Sequence, residues 1–151
     1  MSFLEIYAIG ALVILGLMTL LWLLSLALRN SSIVDPFWGA GFVVVHWVFF
    51  ALTPDGFAAR KWLISVLVTI WGLRLSLYLL WRNWGKGEDF RYQKFRRDAG
   101  KGWWWQSYFK VFLLQGLLLL LIAAPLLAAQ IRPTPARLTF LDLLALAVWL
   151  I

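Results

Sequence analysis

Phe3-Leu4-Glu5-Ile6-Tyr7-Ala8-Ile9-Gly10-Ala11-Leu12-Val13-Ile14-Leu15-Gly16-Leu17-Met18-Thr19-Leu20-Leu21-Trp22-Leu23-Leu24-Ser25-Leu26-Ala27-Leu28 is the stretch that decides the fold class. Its one charged residue is Glu5, at the start. About 20 mostly apolar residues let one α-helix cross the hydrocarbon of a bilayer. The run is also longer than the roughly 7–15 apolar residues of a signal peptide. No Lys or Arg precedes it, although Ser25-Leu26-Ala27 resembles a cleavage site. The stretch reads as a first membrane span.

The composition of the whole chain agrees. Of 151 residues, 63% are hydrophobic and 14% charged, and the mean hydropathy is +0.82. Soluble domains average about 45–50% apolar and about 25% charged. A small soluble fold has too much surface per volume to hide the excess, and disorder requires the opposite composition. Further apolar runs follow at about 33–52, 62–81 and 108–130. Asp35-Pro36 reads as a helix start, with Asp as cap and Pro at the first helical position. A last run, 140–151, is too short to span and predicts a chain that continues. The expected architecture is all-α: one transmembrane bundle over 1–151, with four full spans and a truncated fifth.

There is no cysteine and one histidine, His46. Thiol chemistry and a metal site built from this chain are therefore excluded. The net charge is +7. Its placement between apolar runs points to topology and anionic lipid, not to nucleic acid. Arg29, Arg82, Lys86, Arg91, Lys94, Arg96, Arg97, Lys101 and Lys110 fall on one side of the membrane, and Arg60, Lys61, Arg132 and Arg137 on the other. Nine against four predicts a cytoplasmic 82–110 loop and an external N-terminus.

Inside the spans, Ser65, Thr69, Gly72 and Ser76 share one helix face, and small residues of this kind let backbones approach closely. Trp71, Arg74, Tyr78 and Trp81 lie roughly opposite. Arg74 either lines a polar cavity for an anionic group or serves structurally by snorkelling or pairing. Asp35 and His46 share a face of the second span, about 16 Å apart along it. His46 reads as a hydrogen-bonding partner of a neighbouring helix or as a cavity residue. Asp35 reads as a cap, or as the partner of Arg29 or Arg74. Gln115, on one face with Tyr108, is interhelical glue or a substrate contact. In the 82–110 loop, Glu88 and Asp89 begin a short helix that Gly100 ends, with a basic face and a stripe of Tyr92, Phe95 and Ala99.

Three pieces then occur in order: Ser32-Ile33-Val34-Asp35-Pro36-Phe37-Trp38-Gly39; Arg74 with Arg82 and Gly87-Glu88-Asp89-Phe90-Arg91-Tyr92; and Val111-Phe112-Leu113-Leu114-Gln115-Gly116 with Pro125. Together they resemble the bacterial membrane family of steroid 5-alpha-reductase-like proteins, long labelled a domain of unknown function. The resemblance implies a longer helical bundle in the bacterial inner membrane. It also implies NADPH-dependent reduction of a carbon–carbon double bond in a lipid-like enone. In the wider superfamily the cofactor site lies mainly in a C-terminal half carrying a Ser-Arg-His-Pro motif, which is absent here. No catalytic residue is therefore transferred, and this chain alone is expected neither to bind NADPH nor to catalyse. Asp35, His46, Trp71, Arg74, Tyr78 and Gln115 are the substrate-cavity candidates, and Glu88, Asp89, Arg91 and Tyr92 those of the loop. The expected partners are membrane lipids and a lipid-like substrate. Two other functions fit the same spans: an S-adenosylmethionine-dependent membrane methyltransferase, and a membrane scaffold or accessory protein.

Overall fold

A computed structural model describes residues 1–151, and every regular element is helical. Helix α1 is Phe3–Leu28, α2 Val34–Leu52, α3 Ala58–Asn83 and α4 Phe90–Ala99. Helix α5, Trp103–Ser107, runs through a π-helical segment, Tyr108–Leu113, into α6, Leu114–Gln130. Helix α7 is Phe140–Leu150. Four helical stretches, Phe3–Leu28, Ser31–Leu52, Ala58–Asn83 and Phe90–Gln130, are long and apolar enough to cross a membrane.

Local chemistry sets the boundaries. Ser2 and Glu5 form a reciprocal capping box at the start of α1. Arg29, with φ 51°, ends that helix in the left-handed region. A 3-10 turn, Ser31–Ile33, follows, capped by the Asn30 side chain, which accepts from the Ser32 N–H. Helix α2 therefore starts earlier than Asp35-Pro36 suggests, and it has no side-chain cap. The turn already supplies the backbone partners, so Asp35 lies within the first turn and its carboxylate is free for tertiary contacts. Gly85 and Gly87, at φ 73° and 71°, form the left-handed link between α3 and α4. The first of the long apolar runs to be bounded differently is the third, whose helix extends over Ala58–Asn83 and takes in Arg60, Lys61 and Arg82.

Helix α2 is the axis of the bundle. It packs most extensively on α3 and also contacts α6 and α1. The apolar core joins Ile6, Ile14, Met18 and Leu21 of α1, Val34, Phe42, Val45 and Phe49 of α2, and Val111, Phe112, Leu119, Ala123 and Leu127 after α5. No residue of α3 belongs to it. That helix is attached by its small face instead. A side chain at Gly39 would overlap the Gly72 carbonyl oxygen, and one at Gly72 would lie 2.6 Å from the Gly39 carbonyl oxygen. Ser76 Oγ accepts from the Ala40 N–H at 2.7 Å, and Thr69 Oγ1 accepts from Trp47 Nε1 at 3.1 Å. Such close backbone contact gains dispersion where water provides no hydrophobic drive.

Candidate functional site

The start of α2, the start of α4 and the start of α6 meet at one end of the bundle. Asp35 Oδ1 accepts from the Tyr92 hydroxyl at 2.6 Å. The same hydroxyl accepts from Gln115 Nε2 at 3.3 Å, and Gln115 Oε1 accepts from Trp38 Nε1. Asp35 Oδ2 accepts from Arg91 Nη2 at 3.2 Å, and Arg91 also pairs with Asp89 at 2.9 Å. These four side chains of α2, α4 and α6 thus form one chain of bonds: Trp38, Gln115, Tyr92 and Asp35. Asp35 pairs with neither Arg29 nor Arg74.

A second clasp sits beside the first. Glu88, only 9% exposed in its side chain, pairs with Arg96 at 2.8 Å and accepts from the Ser31 N–H at 2.7 Å. The Asp89 N–H donates to Ser32 Oγ at 3.0 Å, and Trp103 Nε1 donates to Ser31 Oγ at 3.2 Å. Burial pushes the Glu88 carboxyl up, but Arg96 and the Ser31 N–H outweigh it and hold the group below the usual range. Arg91, through its side chain and its N–H, likewise holds Asp89 low. Asp89 is also the N-cap of α4.

A cleft of about 460 Å³ opens next to these clasps, between α1, α2 and α3. Its walls include Leu21, Leu24, Phe37 and Leu80, and its mouth includes Asn30, Ser32 and Asn83. No charged residue lines it. The size lies in the range of small-molecule sites, about 300–1,000 Å³.

The other candidates lie elsewhere. His46 is fully buried near the opposite end. Ser65 Oγ donates to the Lys61 carbonyl at 2.7 Å, so it accepts from His46 Nε2 at 2.8 Å. His46 Nδ1 then accepts from Gln130 Nε2 at 2.8 Å. The three residues tie α2, α3 and α6 together. Trp71, Arg74 and Tyr78 line a separate shallow groove on the outward face of α3. Gln115 and Tyr108 do not share partners: Tyr108 bonds Thr19 of α1 at 2.9 Å. The π-helical segment lies between them, and its wider turn changes the register that an α-helical count assumes.

Sequence reasoning missed Trp38, Arg96, Trp103, Ser65 and Gln130 as partners. A tryptophan N–H and a mid-span amide each require an acceptor when buried, and that requirement is the available signal.

Residues 21–151 match a family described as a protein of unknown function (DUF1295). The chain belongs to that family. Among curated relatives it is similar to "Uncharacterized protein C594.04c" of Schizosaccharomyces pombe, at 27% identity over 151 residues. The match covers 95% of this chain and 43% of the fungal protein, so the chain spans less than half of that relative. No solved structure matches it. The stretch matched to the family contains the cleft residues from Leu21 onward and both clasps.

Proposed function

We propose that this chain is the lipid-holding part of a membrane reductase that acts on the double bond of lipid-like enones. The observation that carries the reading is the uncharged, apolar-walled cleft with amide groups at its mouth. The Asn30 Oδ1 atom is taken by Ser32, while the amide N–H groups of Asn30 and Asn83 have no acceptor within the chain. A substrate carbonyl at the mouth would accept from them, and its hydrocarbon would lie along Leu21, Phe37 and Leu80. The clasps pair Arg91 and Arg96 with carboxylates, and no charged residue lines the mouth, which suits an uncharged oxygen.

The residues here do not fit a dinucleotide phosphate. No charged residue lines the cleft, and Arg91 and Arg96 are paired with Asp35, Asp89 and Glu88. NADPH, which the family resemblance implies, is therefore assigned to residues beyond this chain, and no step through it follows from this structure. The protein is proposed to sit in the cell membrane, the bacterial inner membrane in a bacterium, with the α4 end cytoplasmic.

The test is turnover by the full-length protein in lipid nanodiscs. An enone lipid with NADPH should yield the saturated ketone, and Leu77→Trp, which fills the open side of the cleft, should lower kcat/KM at least tenfold. Methyl transfer from S-adenosylmethionine would replace this reading with a methyltransferase. Neither activity, with both cofactors supplied, would leave a scaffold.

A further inference from the structure

The cations of α3 are not equivalent. Arg60 pairs with Asp142 at 2.9 Å, and Lys61 Nζ donates to the carbonyls of Phe50 and Thr53. Arg82 stands in the last turn. Arg74 alone lies deep in the helix, exposed, and makes no hydrogen bond or ion pair with any residue of the chain. It is about 14 Å from the Asn83 end and about 24 Å from the Ala58 end. Helical side chains lean towards the helix N-terminus, which for Arg74 is the farther end. Reaching a lipid headgroup is therefore unfavourable. A cation within a membrane span is costly, and such residues almost always face protein or a wet cavity.

The rest of the helix face agrees. Helix α3 gives no residue to the core, and only 11% of its most apolar stretch is buried, against 22–39% for the other three spans. Trp71, Tyr78 and Leu77 are exposed beside Arg74. The groove there, about 360 Å³, has an arginine, two aromatics and Leu75 as its walls.

We infer that the outward face of α3 docks a further membrane helix, and that this helix carries an Asp or Glu at the depth of Arg74. A second copy of this chain does not supply it. The acidic residues are Glu5, Asp35, Asp55, Glu88, Asp89, Asp98 and Asp142, all at helix ends or in connections. More than half of the fungal relative lies outside the matched region, and that is the kind of segment to which the docking helix is assigned. The inference does not depend on the reductase reading.

The test replaces Tyr78 with a photo-cross-linking benzoylphenylalanine in the full-length protein, expressed at its native level in its own membrane. The expected adduct is an apolar peptide from outside residues 1–151 that contains an acidic residue. Arg74→Glu should lower its yield at least tenfold, and Arg74→Lys should retain most of it. Changing the captured acid to Lys should restore the yield in the Arg74→Glu background, which separates lost charge from lost folding. Adducts to lipid alone, to residues 1–151, or to a peptide without an acid would overturn the inference. So would a yield insensitive to Arg74→Glu.

Discussion

At the scale of the residue, Asp35 shows what a local reading misses. Next to Pro36 it has the form of a helix cap, and the capping duty passes instead to Asn30 and the 3-10 turn. Its real partner, Tyr92, is 57 positions away, a pairing no local pattern contains. Tyr92 is 6% exposed, so removing its acceptor leaves a nearly buried hydroxyl with one bond less. Asp35→Ala is expected to cost about 1–3 kcal/mol, and Asp35→Asn, which keeps an acceptor, clearly less. Arg91 contributes little to the difference, because it is 54% exposed and screened by water. Thermal unfolding in detergent measures both. Glu88 gives a pH dependence whose sign is fixed. Its folded pKa is depressed from 4.5, so its stabilisation is complete above that value and is lost as pH falls through the folded pKa. The protection factor of the Ser31 amide, which donates to Glu88, should fall in acid over that window, and Glu88→Gln should remove the dependence.

At the scale of the element, the α2–α3 seam was legible and the outer face of α3 was not. The stripe of Ser65, Thr69, Gly72 and Ser76 announces close packing because helical periodicity gathers it on one face. It names no partner, and the partners prove to be Gly39, Ala40, His46 and Trp47 of α2. Gly39→Ala should separate the two helices, since the added methyl meets the Gly72 backbone and not a flexible side chain. A loss of about 1–3 kcal/mol is expected from such overpacking. Gly16→Ala is the control, as nothing lies within 4 Å of the added atom, and its melting temperature should match that of the unmodified chain. The π-helical segment, which packs against α1, was not legible, because no local pattern in the sequence marks its wider turn.

At the scale of the whole molecule, the apolar runs define the four long helices, since a bilayer leaves an isolated apolar run little choice but to be helical. The cleft is a different matter: it arises from the gap between α1 and α3 where both lean on α2, and depends on three helices at once. The charge asymmetry survives in sharper form. Of the nine cations at the α4 end, Arg91 and Arg96 are paired with carboxylates. Arg29, Arg82, Lys86, Lys94, Arg97, Lys101 and Lys110 are exposed. Of the four at the other end, Arg60 and Lys61 are buried, which leaves Arg132 and Arg137. The ratio of exposed cations without a carboxylate partner is thus seven to two. Insertion precedes folding, so the cations act as a set whether or not they later pair, and nearby acids count for little. A reporter fused within 86–102 should therefore read cytoplasmic, and one within 54–58 external. Replacing Lys94, Arg97 and Lys101 by Ala should weaken the bias and give a mixed reading at both fusion sites. An inverted reading in the unmodified chain would place the cleft mouth and both clasps outside the cell, away from any cytoplasmic source of NADPH, and would remove the reductase proposal along with the topology.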